Sequence, residues 1–341
     1  MMHAVMLILI TFADETSWSR LPSLPNREGI AGPLAGVSHG VLIVAGGANF
    51  PDKKPWEGGI KQWHDAAYVL EDPRGAWKQI ESLPRPQAYG ISLTWRESII
   101  SIGGCTGKEH LSEVVRLEWK DGRLQRFELP ALPITVAYGC GAIVNDVLYV
   151  AGGQEKPDSP RVLHRFFALN LAERHGVWQE LSAWPGNGRM LAQAAAVGDA
   201  FYLVGGVELV GNTVPAQRQY LKDGYRYTPA TGWQRLPDLP MPLAGGPTPA
   251  PLTRTGFLLL GGDDGSQLGK PQQDHSGFQR SLLHYDVKQQ QQWKMIEQGE
   301  AARVTLPCVP WRNHWVLPSG EVRPGIRSPE VWWVKIKADS K

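Results

Sequence analysis

Val147-Leu-Tyr-Val-Ala-Gly152-Gly153 is a short apolar run closed by two glycines, and the chain repeats the pattern. The other copies are Val41-Leu-Ile-Val-Ala-Gly46-Gly47, Ile99-Ile-Ser-Ile-Gly103-Gly104, Phe201-Tyr-Leu-Val-Gly205-Gly206 and Phe257-Leu-Leu-Leu-Gly261-Gly262. Their first glycines stand at 46, 103, 152, 205 and 261, so the intervals are 57, 49, 53 and 56 residues. Self-similarity near this period is the mark of a repeat architecture. One more interval beyond Gly261 lands about 318, where His314-Trp-Val-Leu317 runs into Pro318-Ser319-Gly320-Glu321 instead of a diglycine. There the repeat loses its signature while gaining a carboxylate, Glu321, and two arginines, Arg323 and Arg327. That makes the sixth copy a candidate site.

Each unit has the same internal order. A small-residue strand precedes the diglycine strand, as in Ala88-Tyr-Gly-Ile-Ser-Leu-Thr-Trp95 and Ala137-Tyr-Gly-Cys-Gly-Ala-Ile-Val144. A loop of variable length follows, then an alternating strand such as Leu282-Leu-His-Tyr-Asp286. A tryptophan opens the fourth strand, which runs into Leu-Pro: Trp77 to Leu83-Pro84, Trp233 to Leu236-Pro237. Four strands repeated at roughly fifty residues describe a propeller blade. The expected fold is all-β: a six-bladed Kelch-type β-propeller forming one domain over residues 14–337. The last unit lacks its fourth strand, and Trp18-Ser-Arg-Leu21-Pro22 has no blade before it. The ring is therefore expected to close by pairing this N-terminal strand with the C-terminal blade, which leaves no free edge.

Composition narrows the function. The formal charge of the 341 residues is +2 with no basic block, so there is no electrostatic footprint for nucleic acid. Cys105, Cys140 and Cys308 are far apart, as suits buried small hydrophobes. His64, His164, His275 and His284 do not form a local metal set. Neither a serine-nucleophile elbow nor a phosphate loop is written in the chain. The apolar run 4–12 is too short to span a membrane. Residues 1–13 read as a signal peptide or a disordered N-terminus, an edge strand or a misplaced start being the other readings. Cleavage there would place the protein in the periplasm or outside the cell; otherwise it is cytoplasmic.

The loops after the diglycine strands are unequal. The first, 48–64, carries Asn49, Trp56, Lys61, Trp63 and His64, and the fifth, 263–280, carries Asp263, Asp264, Asp274 and His275. The sixth is short, with Pro324-Gly325 as a turn. Two long loops beside a short one would wall a depression suited to a small molecule.

Gly320-Glu321-Val-Arg323-Pro324-Gly325-Ile-Arg327 resembles the Gly-Glu-x-Lys-Pro-Gly-x-Arg segment of the N-acetylneuraminate epimerases, or sialic acid mutarotases, with Arg323 in place of the lysine. Ala31-Gly32-Pro-Leu-Ala35-Gly36, Ala88 to Trp95 and Leu239-Pro-Met241-Pro-Leu-Ala244-Gly245 are similar as well. Their order is rotated: that family's sequence begins near Leu129 here and closes with residues 14–128, which implies a cyclically permuted member. The resemblance implies an isomerase that interconverts the α and β anomers of N-acetylneuraminic acid by acid–base ring opening, without metal or organic cofactor. Glu321 would accept the proton and Arg327 would clamp the substrate carboxylate. Arg323, Asn49, Lys61, Tyr89 and Arg189 are the expected substrate-binding residues. The alternative is a non-catalytic Kelch module that binds protein or glycan; the oligomeric state stays open. Strand geometry leaves one point open too. Glu321 and Arg323 share a face, and in a regular two-residue hairpin Arg327 would oppose Val322, on the other face from Glu321.

Overall fold

The computed structural model describes residues 16–211, 215–289 and 292–336. The expected signal segment, 1–13, lies outside them. The small-residue and apolar strands of each unit pair as tight antiparallel hairpins. In the third unit Cys140–Val144 pairs with Val147–Ala151 through Asn145-Asp146, both at positive φ, the turn whose twist matches that of the strands. Further strands complete the sheet outward, Phe166–Asn170 and Gln179–Leu181. Three other units build the same four-stranded order, starting at Leu34, Ile91 and Gln193.

The apolar strands are buried on both faces, with Ile43, Ile99, Leu148, Phe201 and Phe257 fully inaccessible. Their side chains form six hydrophobic clusters, one between each pair of successive sheets. One joins Ile91 and Leu93 to Leu148, Val150 and Phe167; another joins Leu258 and Leu260 to Leu317 and Val334. Each buried aliphatic or aromatic side chain contributes about 1.5–3 kcal/mol, so every sheet depends on both neighbours. The structure is a six-bladed β-propeller. The last cluster joins Leu42 and Val44 to Val309, Val316 and Val331 and completes the circle. Within that blade Thr16–Leu21 pairs with Val331–Ile336 in continuous register, from Thr16↔Ile336 to Leu21↔Val331, as the closure reading expected.

One unit departs from the expected four strands. In the fifth, Gly256–Gly262, Gln279–Asp286 and Trp293–Gln298 form a three-stranded sheet, and the innermost strand shrinks to the bridge Leu252↔Phe257. Pro247, Pro249 and Pro251 precede it. Every second residue there lacks an N–H, so no ladder can form.

The diglycines join the blades. The second glycine donates to a carbonyl in the segment leading into the next blade: Gly47 to Gln87, Gly104 to Val136, Gly153 to Arg189 and Gly206 to Leu243, each at 2.8 Å. The first glycine sits so close that a Cβ on Gly152 would lie 2.3 Å from the Arg189 carbonyl oxygen. Ser319-Gly320 keeps this geometry with φ of 67° and 97°, and Gly320 donates to the Ile30 carbonyl at 2.9 Å. The sixth copy is altered in its side chain and intact in its backbone.

Around the axis the main chain makes a closed ring of hydrogen bonds. Gly32 donates to Thr305, Thr305 to Gly245, Gly245 to Leu191, Leu191 to Tyr138, Tyr138 to Tyr89 and Tyr89 to Gly32, at 2.6–3.0 Å. All six residues have positive φ. One residue from every blade thus takes part.

Candidate functional site

Above this ring lies a cavity of about 670 Å³. Its walls come from segments that follow the diglycine strands. Three fold into small hairpins: Ala48–Asn49 with Gln62–Trp63, Val207–Val210 with Gln217–Tyr220, and Glu321–Arg323 with Ile326–Arg327. The third is the altered repeat. Its turn closes on Gly325, at φ 79°, where a Cβ would meet Pro55 at 2.7 Å, so the short hairpin leans directly on the first long loop.

The register of that hairpin answers the open question about the arginines. Arg323 pairs with Ile326, and a bulge between Glu321 and Arg323 sets Arg327 opposite Glu321 rather than Val322. A bulge sets two residues against one and re-aims the side chains beyond it. Glu321 and Arg327 both line the cavity, with Arg327 Nη2 3.6 Å from Glu321 Oε1. Arg323 instead donates from Nη1 to the His275 carbonyl at 3.4 Å, toward the fifth loop, and is not among the lining residues.

Glu321 has two unlike oxygens. Oε1 accepts the Gly325 N–H at 2.7 Å and faces Arg327. Oε2 meets the Thr305 hydroxyl at 3.5 Å. Arg327 is held with its guanidinium carbon 4.9 Å from the centre of the Phe50 ring. Its Nε and Nη1 are buried and find no acceptor among the described residues. A buried donor without a partner is costly, and a guanidinium whose donors are unmatched suits a carboxylate.

Two further expected residues stand in this cavity. Lys61 places its Nζ 4.2 Å from the centre of the Tyr89 ring and 5.0 Å from that of Trp63. Tyr89 packs against Tyr138 with the ring centres 4.8 Å apart and the planes tilted by 38°. The structure places the other two, Asn49 and Arg189, outside the residues that line the cavity. Asn49 is buried and uses its amide on Asn26 Oδ1 and the Gly29 carbonyl. Its own oxygen takes the His64 Nε2 proton at 2.8 Å; burial holds His64 below its ordinary pKa, though Asp65 opposes this. Arg189 is wholly inaccessible, with two hydrogen bonds to Asp223 and one to the Gly205 carbonyl. Both are struts, chosen by charge or polarity from positions that chain order could not distinguish from a cavity wall.

Several wall residues were missed. Tyr138 occupies the ring position of Tyr89, and the shared Ala-Tyr-Gly triplets at 88–90 and 137–139 carried that signal. Burial raises its phenol well above the usual range. Tyr220, Arg218 and Asp263 form the wall contributed by the fourth and fifth blades. Tyr220 donates to Asp263 Oδ2 at 2.6 Å, and burial together with that bond pushes its pKa up to about 12. Cys105 borders the cavity; burial raises its thiol, while Trp63, Lys61 and Tyr138 pull it back. Among the described residues no three His, Cys, Asp or Glu side chains gather as a metal-binding group. The cavity therefore offers a carboxylate with one oxygen only weakly held, an unsatisfied guanidinium and aromatic faces, a set matched to a polar, anionic small molecule with apolar surfaces.

Comparison with known proteins adds a family. The family model for N-acetylneuraminate epimerase matches residues 4–125 and 129–270. Over 110 residues the chain is 39% identical to an N-acetylneuraminate epimerase of Yersinia pestis (strain Pestoides F), covering 29% of this chain and 27% of that protein. Over 127 residues it is 36% identical to the protein of that name from Salmonella enteritidis PT4, with 33% of each covered. The alignments thus span a third or less of these relatives' length. The solved structure of YjhT superposes on 94% of this chain and 99% of its own, with a TM-score of 0.69 at 16% identity, a likeness of fold.

Proposed function

This chain belongs to the N-acetylneuraminate epimerase family, and we propose from that membership that it interconverts the α and β anomers of N-acetylneuraminic acid. The observation that carries the reading is the convergence of Glu321 and Arg327 on one cavity through the bulged hairpin. The substrate bears a carboxylate and a hemiketal hydroxyl on the same carbon, C2. Arg327 takes the carboxylate on an edge that includes Nη2, the nitrogen turned toward Glu321, as a planar fork takes two oxygens. Glu321 Oε1 is occupied by Gly325, so Oε2 is the atom that accepts the hydroxyl proton. As that proton leaves, the bond from C2 to the ring oxygen breaks, C2 becomes a ketone, and the ring oxygen takes up a proton from solvent water. Rotation presents the other face of the ketone. Closure then reverses each transfer.

General-base catalysis of this kind contributes roughly 10²–10⁴-fold. Freshly dissolved single anomer, followed by ¹H NMR, should equilibrate faster with protein, and Glu321→Gln should remove most of that acceleration. Full activity in this variant, with the fold intact, would show that Glu321 is not the base.

We propose in addition that the blade order is rotated relative to the family. The match falls into two segments that break at 126–128, beside the point where the rotated sequence would begin. The curated relatives align over a third or less of the chain, as a linear alignment does when only one rotated part can be placed.

A further inference from the structure

The six blades supply six equivalent positions around the cavity mouth, each bridged to its own lead-in segment just after the diglycine strand. They are Ala48, Cys105, Gln154, Val207, Asp263 and Glu321. The carboxylates at these positions are Asp263 and Glu321, and they stand on neighbouring blades. Those blades are joined at the axis by the hydrogen bond from Thr305 to Gly245, at 2.6 Å. Asp263 lines the same cavity as Glu321, and its setting is different. Oδ2 accepts the Tyr220 hydroxyl at 2.6 Å and Oδ1 accepts the Gly265 N–H at 3.0 Å. Tyr220 in turn is wedged in place: a Cβ on Gly265 would lie 2.5 Å from its ring. A phenol that stays protonated to about pH 12 keeps donating to the carboxylate at every physiological pH. Asp263 is thus a fixed acceptor, oriented by a bond it does not give up, and its remaining lone pairs are available to hydroxyl donors.

We propose that Asp263, held by Tyr220, is a specificity residue that accepts hydrogen bonds from the polyol tail of the sugar acid. This rests on the anomerase reading, which sets C2 at Glu321 and Arg327. In the pyranose the tail hangs from the carbon that lies across the ring oxygen from C2. It therefore extends one short step from the reacting centre, and Asp263 stands one blade step from Glu321. The wall divides by chemistry: Arg327 offers donors to the carboxylate end, Asp263 offers acceptors to the hydroxyl end. Asp263 is not a second base, because its role is the same before and after ring opening.

An interaction made equally in ground and transition states moves KM and leaves kcat alone. A hydrogen bond to a charged group is worth about tenfold to hundredfold in affinity. Asp263→Ala should therefore raise KM for N-acetylneuraminic acid by about 10- to 100-fold with kcat within a few-fold of the parent. Tyr220→Phe should raise it less, since the carboxylate remains but loses its anchor. The decisive arm uses a six-carbon 2-keto-3-deoxy sugar acid, which closes its ring with no tail; parent and Asp263→Ala should handle it alike. Unchanged KM with the nine-carbon substrate, or an equal loss with both, would overturn the assignment. If the parent protein shows no anomer exchange, the anomerase reading fails. Affinities of parent and Asp263→Ala for the two sugar acids, by protein-observed NMR titration, then test the acceptor role alone. An unchanged difference between the two ligands would refute it.

Discussion

Replacing Ser319 by glycine restores the diglycine of the other repeats, yet it should destabilise the protein. Ser319 is fully buried, and its hydroxyl accepts the Ile30 N–H at 2.8 Å. Its single proton has two carbonyls within reach, Ile30 at 2.9 Å and Ser328 at 2.7 Å. The Ile30 carbonyl already receives Gly320 N–H, so the proton goes to Ser328. Removing the hydroxyl leaves the Ile30 N–H buried and unpaired, worth roughly 1–3 kcal/mol. Glycine relieves the left-handed backbone at φ 67°, a gain of roughly 1–2 kcal/mol. Its greater freedom in the unfolded chain takes back about 0.4–1 kcal/mol of that. The net for Ser319→Gly is a loss of about 1 kcal/mol. Ser319→Ala keeps the strain and loses the bonds, so it should lose roughly 1–3 kcal/mol. Equilibrium denaturant unfolding of parent and both variants reads these differences. Anomer exchange should also slow in both, because the Ser328 carbonyl moors the strand carrying Arg327. A Ser319→Gly protein as stable as its parent would show that the hydroxyl bridge does not hold this blade.

The other perturbations separate site from scaffold. Arg327→Lys keeps the charge and loses the fork, so KM for the sugar acid should rise at least tenfold in the exchange assay. Arg189→Ala strands Asp223, whose carboxylate burial would raise but Arg189 holds low; it should lose roughly 3–5 kcal/mol in unfolding experiments while the folded fraction keeps its exchange rate. Gly152→Ala, at φ 62° against the Arg189 carbonyl, should lose more than about 2 kcal/mol. Gly122→Ala, at φ 74° with nothing within 4 Å, should lose only about 1 kcal/mol, which isolates the contact from the dihedral. Burial depresses the pKa of both His64 and His110 below 6.5. The unfolded chain then binds more protons as pH falls through 6.5, so stability should fall with it and level off below the depressed values. The denaturant midpoint should drop between pH 7 and pH 5, and by less in the double variant His64→Gln, His110→Gln.

The propeller was legible because its determinants are local and repeated. A diglycine must recur wherever a backbone N–H clips the next blade, and an apolar strand must recur wherever both faces are covered. The closing strand was legible for the same reason, since Trp18 to Pro22 repeats a fourth-strand pattern. The fifth blade's lost inner strand is written in Pro247, Pro249 and Pro251, whose missing N–H groups a repeat-wide strand pattern does not register. Asn49 and Arg189 show a different limit. A buried asparagine that braces a loop and one that binds a ligand are the same letter, and what separates them is whether Asn26, Gly29 and His64 arrive in space. The bulge at Val322 lies beyond sequence reading too: the hairpin that carries it packs through Gly325 against Pro55, from a loop some 270 residues earlier.

The backbone ring explains why the altered repeat is free to carry the proposed chemistry. Six residues at positive φ close a circle of main-chain hydrogen bonds without asking anything of their side chains, which here are two glycines, two tyrosines, a leucine and a threonine. The six bridged positions above them are likewise held by backbone, so they tolerate alanine, cysteine, glutamine, valine, aspartate and glutamate alike. Side-chain identity there is free to serve a ligand. The sixth blade goes further. To the backbone clip of Gly320 it adds a serine whose hydroxyl ties Ile30 on one side to Ser328 on the other. Glu330, two residues on, is gripped by Arg303 at 2.6 Å and by Arg20 of the N-terminal strand at 2.9 Å. The hairpin bearing Glu321 and Arg327 is therefore anchored by side chains at both ends, where other blades rely on glycine. A carboxylate acting as the proposed base would need that fixity, and serine in place of the first glycine is how this blade obtains it.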